Sequence, residues 1–296
     1  MRISILGTNG FLSTAIAKYC NKKDYQLIMY GLDNPTCHKY DRFTRIDLMN
    51  EEIDYQELGQ SQIIVYAIGA GIQSNLKEGN DLIYNLNVTA PVRICNGLKS
   101  IGYKGIFITF GSVFEIGETP LRKPFTQTEV LCSTSEAPND YAVSKRMLSR
   151  FVSSYKHDYT HWHFYLPTIY GAGENPMRLI PYTVNAIRKG APLHFTAGDQ
   201  VRQYIHVDEI PVIIDRCFSR QLPSGIYNVA GEDTLTVREV VSMVHKIFGK
   251  EVPSNCFGSA ERADVKMKYL ALDGSKLYDA INYKPKIRLE DAIKTY

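Results

Sequence analysis

A tyrosine and a lysine four residues apart, Tyr141 and Lys145, have the types and spacing required for acid–base chemistry. Pro138 and Asn139 mark the start of a helix, so the two side chains lie on one helical face, about one turn apart. A free phenol has a pKa of about 10, and a neighbouring ammonium stabilises the phenolate and lowers that pKa. The pair can therefore exchange a proton with a carbonyl or hydroxyl group while a bound cofactor moves hydride. Taken alone, the Y-x-x-x-K pattern is also typical of an exposed tyrosine that packs on a lysine stem.

A serine at the end of an apolar run provides a second polar group. Residues 106–110 have the composition of a buried strand and are followed by Gly111 and Ser112. The carboxyl ends of parallel strands form the edge at which ligands of α/β sheets bind. We therefore expect Ser112 to hydrogen-bond the same substrate oxygen as Tyr141, and a simple turn serine is the alternative.

A glycine-rich loop near the amino terminus predicts a dinucleotide site. The sequence Gly7-Thr8-Asn9-Gly10-Phe11-Leu12-Ser13 follows directly after a strand-like run and opens a helix. Its glycines permit a tight turn and let backbone N–H groups approach a pyrophosphate at the helix amino terminus. Five residues of this loop are expected to contact the cofactor: Gly7, Asn9, Gly10, Phe11 and Leu12. A plain glycine turn remains the alternative.

The end of the second predicted strand bears on the choice of cofactor. An NAD site commonly has an acidic residue at this point, which binds the adenosine ribose, but this chain has Gly31, with Asp33 two residues later. Four basic residues follow closely in the sequence: His38, Lys39, Arg42 and Arg45. Because a 2′-phosphate is better tolerated without the negative charge, we expect NADPH in preference to NADH. We also expect Gly31→Asp to shift the preference towards NADH.

The elements that must position these groups alternate short apolar runs with helical patterns. Strands are predicted at 3–6, 27–30, 63–67, 105–110 and 163–166, and helices at 11–20, 85–98 and 141–154. Most of the strands are continuous apolar runs, as expected when both faces of a parallel sheet are buried. The sequence therefore predicts a doubly wound, Rossmann-type α/β fold.

A change of pattern beyond residue 167 predicts a second domain, because proline and glycine become frequent there and short strands separate the helices. We predict a dinucleotide-binding domain over residues 1–166, to which elements from about 203–230 return. Residues 167–296 are predicted to form most of a smaller α/β substrate-binding domain.

The overall composition excludes several classes of protein. Of the 296 residues, 44% are hydrophobic and 22% are charged, which is ordinary globular usage and excludes disorder and fibrous repeats. The net charge of +3 is scattered, so we expect no nucleic-acid partner. We see no apolar run of the ~18 residues that a membrane span needs and no signal peptide, so we expect no membrane partner and a cytoplasmic location. The six cysteines include no C-x-x-C pair, and His161 and His163 lack a third ligand, so we expect no metal site.

In this order and spacing, the glycine loop, Ser112, Tyr141 and Lys145 resemble the extended short-chain dehydrogenase/reductase family. More narrowly, the chain is similar to the nucleotide-sugar epimerase/dehydratase/reductase branch of that family. Five further segments match its landmarks: 47–48, 65–67, 85–88, 166–171 and 200–209. The resemblance covers nearly the whole chain.

The family resemblance also assigns roles to individual residues. It implies that Ser112, Tyr141 and Lys145 are catalytic, and that Tyr141 and Lys145 also contact the cofactor. Four more cofactor contacts are implied: Asp47, Leu48, Ala67 and Asn87. The implied substrate is a nucleotide sugar, bound by Ser112, Thr168 and Arg202, with the Arg202 guanidinium suited to its diphosphate. A homodimer that pairs helices such as 85–98 and 141–154 across a two-fold axis is a further implication.

Several departures from the family pattern narrow the reaction. Dehydratases of this family carry Asp-Glu directly after the hydroxyl residue, whereas Val113 and Phe114 follow Ser112 and cannot transfer protons. No cysteine lies between Cys95 and Cys132, which disfavours epimerisation at C3 and C5. Three other positions differ from the residues usual in the family, which are serine, arginine and asparagine: Gly111, Tyr165 and Thr168.

The resemblance and its departures together favour one reaction. We expect an NAD(P)H-dependent reductase of a nucleoside-diphosphate 4-keto-6-deoxy sugar, in which hydride is added to C4 and Tyr141 donates the proton. An NAD-dependent nucleotide-sugar 4-epimerase that uses the same three residues is the first alternative. A non-catalytic family member that binds dinucleotide is the second.

Overall fold

The computed structural model describes residues 1–72, 76–260 and 266–296. Its strands are β1 (Arg2–Leu6), β2 (Gln26–Gly31), β3 (Arg42–Arg45), β4 (Ile63–Tyr66), β5 (Ile106–Ser112), β6 (Thr160–Leu166), β7 (Thr168–Tyr170), β8 (Val201–His206), β9 (Gly225–Asn228), β10 (Asp233–Thr236) and β11 (Tyr269–Leu270). Its helices are α1 (Phe11–Lys22), α2 (Tyr55–Leu58), α3 (Asn80–Tyr84), α4 (Ala90–Ser100), α5 (Gln127–Leu131), α6 (Asp140–Ser154), α7 (Leu179–Lys189), α8 (Glu209–Ser219), α9 (Val237–Ile247), α10 (Ser275–Ile281) and α11 (Leu289–Ile293). The predicted strands are present, with ends that differ from the predicted ones by at most three residues.

A seven-stranded parallel sheet, in the order β3-β2-β1-β4-β5-β6-β9, forms the centre of the molecule. Its strands are apolar along their length because helices cover both faces: in β4, all four residues are buried. Alternate residues of β1 and β2 pack on one side with α1 and α8, and on the other side with α2 and α4. The predicted Rossmann-type α/β fold is confirmed.

The strand order reverses between β1 and β4, which places a crevice at the carboxyl ends of these two strands. In open α/β sheets, ligands bind in this crevice. The loop after β1, the loop after β4 and the end of β5 all reach this edge, so the fold brings the glycine loop and Ser112 to the same side of the sheet.

A smaller sheet is built around β8, which pairs with β10 on one side and with β7 and β11 on the other. Helices α7, α9 and α11 pack on one another beside it. The chain then returns to the large sheet, because α8 packs on α1 and β9 pairs with β6. The extents of the two predicted domains stay a prediction.

The helix predicted at 85–98 differs from a regular α-helix. It begins earlier, with α3, and its residues Asn85–Thr89 form a π-turn before α4 continues. Pro91 lies in the first turn of α4 and has no N–H to donate to the carbonyl four residues back, which favours such a break. No helix within the described ranges is long and apolar enough to cross a bilayer.

Candidate active site

The glycine loop has the geometry that a pyrophosphate requires. Gly7 has a φ of +107°, which L side chains rarely adopt, and a Cβ on it would lie 3.2 Å from the Ile68 Cγ1 atom. Gly10 is the N-cap of α1, and among the described residues no side chain caps this helix start. Its first turn also has no acidic residue. The free N–H groups and the positive end of the helix dipole therefore fit the phosphates of a dinucleotide.

Asn9 makes its side-chain contacts with the loop that follows β2, not with the rest of the glycine loop. The Thr36 N–H and hydroxyl donate to Asn9 Oδ1 over 3.0 and 3.1 Å, and Asn9 Nδ2 donates to the Asn34 carbonyl over 3.0 Å. Its amide therefore ties two loops of the crevice together, which leaves its predicted cofactor contact to be tested.

The absence of a side chain at Gly31 has a local cause that sequence analysis missed. A Cβ on Gly31 would lie 2.8 Å from the Thr8 Cγ2 atom, so the glycine makes room for Thr8. Of the four basic residues named above, Arg45 lies beside Gly31 in the sheet, where it forms an ion pair with Glu51 at 3.2 Å. Lys39 instead exchanges hydrogen bonds with Asn21 near the end of α1.

Asp47 and Leu48 follow β3 at the same edge. The Asp47 carboxylate accepts hydrogen bonds from the Asn50 side chain at 2.8 Å and from the Met49 N–H at 2.9 Å, and these bonds hold its pKa below the usual range. Leu48 is buried, and its carbonyl accepts a hydrogen bond from the Arg93 guanidinium. The carboxylate therefore shapes the turn at which the resemblance implies two cofactor contacts.

Asn87 lies in the π-turn and joins the loop after β4 to α6. Its side chain accepts from the Ala70 N–H at 3.0 Å and donates to the Ala70 carbonyl at 2.9 Å. It also donates to the Ser144 hydroxyl at 2.9 Å. Because these bonds use its whole amide and the side chain is buried, Asn87 holds the loop that contains Ala67 against the helix that carries Tyr141.

The structure brings Ser112, Tyr141 and Lys145 together. Ser112 is the last residue of β5, and Tyr141 and Lys145 lie in the first two turns of α6, whose N-cap Asn139 accepts the Ala142 N–H at 3.0 Å. All three catalytic candidates are buried. The Lys145 ammonium donates to the Phe110 carbonyl at 3.0 Å and lies 5.8 Å from the centre of the Tyr141 ring.

Burial dominates the acidity of both groups on α6. It raises the pKa of Tyr141 to about 12, against a smaller lowering by the hydrogen-bonding Ser112 side chain. It also lowers the pKa of Lys145 to about 8, although the nearby Glu115 carboxylate acts in the opposite direction. In the absence of ligands, the phenol is therefore a neutral acid that still holds its proton at physiological pH.

Glu115 is a buried residue of the site that sequence analysis missed. Its Oε1 atom accepts the Ser112 N–H at 2.8 Å, and the Ser112 hydroxyl accepts the Phe114 N–H at 3.2 Å, so Ser112 and Glu115 form a capping box. Burial raises the pKa of the Glu115 carboxyl to about 7. The S-x-x-E pattern at 112–115 was the signal that could have found it.

A cleft of about 430 Å³ is lined by Phe114, two residues after Ser112, and by two of the predicted substrate residues, Thr168 and Arg202. The Arg202 Nη1 atom donates to the carbonyls of Val201 and Met267 at 2.9 and 2.8 Å, which fixes the guanidinium in the wall. A second guanidinium in the cleft, that of Arg178, was not predicted from the sequence.

Arg178 lies close enough to the Tyr141 phenol to influence its pKa. Its charge acts to lower the pKa of Tyr141, against the larger effect of burial. Its Nε atom forms an ion pair with Glu174 at 3.1 Å. The cleft thus has positive charge near the candidate acid.

Comparison with known proteins decides the family. A model of the NAD dependent epimerase/dehydratase family matches residues 3–230. The chain belongs to this family. Among curated members, Protein CapI of Staphylococcus aureus is 22% identical and aligns with 100% of the chain and 97% of its own length. The dTDP-glucose 4,6-dehydratase 1 of Escherichia coli K12 is 26% identical, over 61% of the chain and about half of that enzyme (51%).

Solved structures of the epimerase/dehydratase family share the fold of the whole chain. MoeE5 in complex with UDP-glucuronic acid and NAD superposes with a TM-score of 0.84 at 18% identity, covering 100% of this chain and 97% of that one. The UDP-glucose 4-epimerase of Thermotoga maritima, bound to UDP-glucose, gives a TM-score of 0.83 at 15% identity, covering 99% and 96%. Cofactor preference and the individual site roles stay predictions.

Proposed function

We propose that this member of the family is an NAD(P)H-dependent reductase of a nucleoside-diphosphate 4-keto-6-deoxy sugar, with hydride added at C4. The observation that carries the proposal is the convergence of the Ser112 hydroxyl, the Tyr141 phenol and the Lys145 ammonium at the edge of the sheet that also holds the glycine loop. These groups surround a place where one substrate oxygen can receive a proton.

Each of the three side chains has a separate task in this reaction. A bound nicotinamide would supply the hydride. Tyr141, whose pKa is raised to about 12 by burial, holds a proton that it can give to the developing C4 alkoxide. Ser112 donates a hydrogen bond to the same oxygen, and Lys145, anchored on the Phe110 carbonyl, stabilises the phenolate that remains. A proton from solvent then restores the phenol.

The cleft supports a diphosphate-linked 6-deoxy sugar as substrate. Arg178 and Arg202 lie in its wall, and a planar, permanently charged guanidinium matches the oxygens of a diphosphate. Ile72 and Phe114 also line the cleft, and the Phe114 ring is 6.1 Å from the ring of Tyr141, edge to face. This apolar wall beside the phenol suits the C6 methyl group of a deoxy sugar.

The same wall argues against a dehydratase. Elimination of water across C5 and C6 needs one group that takes a proton and another that gives one. Val113 is buried and Phe114 packs on Tyr141, and neither side chain has an exchangeable proton. We therefore do not propose dehydration for this chain, although some of its relatives are named for it.

A 4-epimerase is the second candidate, and the solved neighbours favour it. The UDP-glucose 4-epimerase of Thermus thermophilus, in complex with NAD, superposes with a TM-score of 0.80 at 18% identity, covering 99% of this chain and 97% of that one. An epimerase would use the same three residues to oxidise and then reduce C4, and it would keep its NAD bound. Because a 4-epimerase works with bound NAD, this candidate does not require a preference for NADPH.

One assay separates the candidate functions. Purified protein is incubated with a panel of 4-keto-6-deoxy sugar nucleotides and either NADPH or NADH, and with 4-hydroxy sugar nucleotides and NAD. The reductase should consume one reduced cofactor for each sugar and form a 4-hydroxy product, detected by mass spectrometry. Interconversion of 4-hydroxy sugars without net cofactor consumption would identify the epimerase and contradict our proposal. Cofactor binding without turnover of any sugar would indicate the non-catalytic alternative.

A further inference from the structure

A chain of five buried polar side chains runs from the floor of the site into the layer between β5, β6 and α6. The Ser149 hydroxyl donates to Glu115 Oε2 at 2.6 Å and lies 3.0 Å from His163 Nε2. The Thr109 hydroxyl lies 2.8 Å from His163 Nδ1 and 2.9 Å from His161 Nε2. All five residues are at most 1% exposed. The two histidines thus belong to a network inside the protein, and no metal cluster is found in the part of the chain that the structure describes.

The hydrogen bonds of this chain have a consistent direction when Glu115 is ionised. Because Ser149 gives its hydrogen to the carboxylate, it must accept one from His163 Nε2, so that His163 Nδ1 accepts from Thr109. Thr109 in turn accepts from His161 Nε2. The lone pair left over lies on His161 Nδ1, which has no hydrogen-bond partner among the described residues. Every hydrogen along the chain therefore has an acceptor, and both histidines are neutral, in agreement with the lowering of their pKa values by burial.

A protonated Glu115 would reverse the first of these links. Its Oε1 atom accepts the Ser112 N–H, so the added proton would lie on Oε2 and point at Ser149. Reversal through the whole chain would end with a hydrogen on His161 Nδ1, where no acceptor is described. A buried donor without a partner costs about 1–3 kcal/mol, so the chain favours the negative form of the carboxyl group.

Space for this carboxylate comes from Gly111, at which the family resemblance places a serine. A Cβ at this position would lie 2.6 Å from Glu115 Oε1, 2.6 Å from Tyr165 Cδ1 and 2.7 Å from His163 Nε2. The glycine and the buried glutamate are therefore two parts of one arrangement.

The carboxylate and the candidate catalytic lysine bond to nearby residues of β5, since Glu115 accepts the Ser112 N–H and Lys145 donates to the Phe110 carbonyl. Ser149 is one helical turn after Lys145 on the same face of α6. The Ser149 side chain donates to Glu115. Other titratable groups face Glu115 as well. They are Tyr141 and Arg146 from α6, and His163 and Tyr165 from β6. Lys145 and Arg146 are the cations of this set, and the Arg146 Nε atom donates to the Glu115 carbonyl at 2.8 Å.

We propose that Glu115 is a positioning residue that acts through Lys145 and Ser112. Its carboxylate, whose ionised form the hydrogen bonds through Ser149 and His163 favour, balances the buried Lys145 ammonium and holds the turn that begins at Ser112. Glu115 does not touch the reacting atoms. Its effect on turnover rests on the function proposed above, whereas its effect on Lys145 does not.

The titration of Lys145 tests the proposal without any substrate. The protein is labelled with ¹³C-lysine, the Lys145 signal is assigned from a Lys145→Arg sample, and its chemical shift is followed with pH by NMR. We expect Glu115→Gln, which has nearly the same shape but no charge, to lower the pKa of Lys145 by about one unit or more. Glu209→Gln is the matched control, because Glu209 is also buried and accepts the N–H groups of Lys286 and Ile287. It should leave the titration of Lys145 unchanged.

A second variant keeps the test valid if Glu115→Gln does not fold. Ser149→Ala removes the donor to Glu115 Oε2, favours the protonated carboxyl and should shift the titration of Lys145 in the same direction by a smaller amount. An unchanged Lys145 titration in the folded variants, or an equal shift in Glu209→Gln, would show that the proposal is wrong.

Turnover measurements distinguish a failure of this proposal from a failure of the proposed function. With an active substrate, Glu115→Gln should move the alkaline limb of the kcat/KM profile to lower pH, since the loss of the Lys145 charge begins earlier. Suppose that Glu115→Gln lowers the pKa of Lys145 as expected but the parent protein turns over no sugar nucleotide. The proposed function is then rejected, and the role of Glu115 is supported. Turnover with an unshifted alkaline limb would contradict the role of Glu115 and leave the function intact.

Discussion

At the scale of single residues, the candidate acid Tyr141 lies in an environment that retains its proton. Burial raises the pKa of Tyr141 to about 12, and the Lys145 ammonium bonds to a backbone carbonyl, 5.8 Å from the centre of the phenol ring. A phenol in this state is suited to giving its proton to an oxygen that gains charge. It is less suited to taking a proton before a cofactor with a positive ring is bound.

Removal of the Tyr141 hydroxyl is expected to stop the chemistry without disturbing the fold. Tyr141→Phe should lower kcat by at least ~100-fold, the usual scale for a lost acid–base catalyst, while the melting temperature stays near that of the parent protein. Tyr84→Phe is a suitable control, because the Tyr84 hydroxyl donates to Asp140 at 2.8 Å, at the start of the same helix. Comparable activity of the Tyr141→Phe enzyme and its parent would exclude the phenol as the proton donor.

The sequence predicted which residues bring polar groups to the site, but it did not predict the burial or the protonation of those groups. The spacing of Tyr141 and Lys145 and the place of Ser112 after an apolar run were enough to bring the three together. Glu115 was missed because it follows two apolar residues and its carboxylate turns back beneath the strand. The depth at which Tyr141 is buried depends on tertiary packing, which local spacing does not report.

At the scale of elements, the helical segment before α6 contains an irregularity that positions the Asn87 side chain. The π-turn Asn85–Thr89 brings Asn87 inward, where it bridges Ala70 and Ser144. The sequence predicted a continuous helix here, because the π-turn joins α3 and α4 without an interruption of the helical backbone. Pro91 was the local signal of the break.

Loss of the Asn87 bridge should weaken both the fold and cofactor binding. Asn87→Ala leaves the N–H and carbonyl of Ala70 buried without partners, and we expect a loss of about 2–5 kcal/mol in the free energy of unfolding, measured by urea denaturation. Fluorescence titration should show weaker binding of NADH or NADPH. Asn85→Ala is the control, because the Asn85 side chain bonds within its own helix, to the Asp81 carbonyl. Equal effects of the two substitutions would contradict the bridge.

The contact between the glycine loop and β2 changes how cofactor preference must be tested. A Cβ at Gly31 would press on Thr8, so Gly31→Asp alone should displace the loop and weaken both cofactors. The double variant Thr8→Gly, Gly31→Asp restores the space and should favour NADH over NADPH by about tenfold relative to the parent. Dissociation constants for both cofactors, measured by fluorescence, check this. An unchanged ratio in the double variant would remove the link between Gly31 and the 2′-phosphate.

At the scale of the whole molecule, the outer face of α6 bears on the predicted homodimer. Val143 and Met147 are one turn apart on this helix and are exposed. If α4 and α6 pair across a two-fold axis, as the resemblance implies, these side chains lie in the interface. Val143→Glu with Met147→Glu should then turn a dimer into a monomer in sedimentation velocity. Phe218→Glu, at an exposed position of α8, should keep the dimer. A monomeric parent protein would contradict the predicted homodimer.

Five of the seven strands of the large sheet could be predicted from the sequence, whereas the strands of the smaller sheet could not. Continuous apolar runs such as those of β4 and β5 indicate a doubly covered parallel sheet. Strand β11 has two residues, and β10 and β7 pair with a strand from a different part of the chain, so no local pattern identifies them. Arg178 was missed for the same reason, because its place in the cleft depends on how that sheet and α7 pack.

The crowding around Gly111 has a consequence for how this sequence can change over time. A serine introduced there meets three packed groups at once, and a smaller residue in place of Glu115 removes one of these contacts but leaves those with Tyr165 and His163, so the cost of the serine depends on residue 115. The two positions are therefore epistatic, and the order in which they mutate decides whether the intermediate survives. A combinatorial library at 111 and 115 should recover glutamate mainly with glycine and should recover serine more often with small residues than with glutamate.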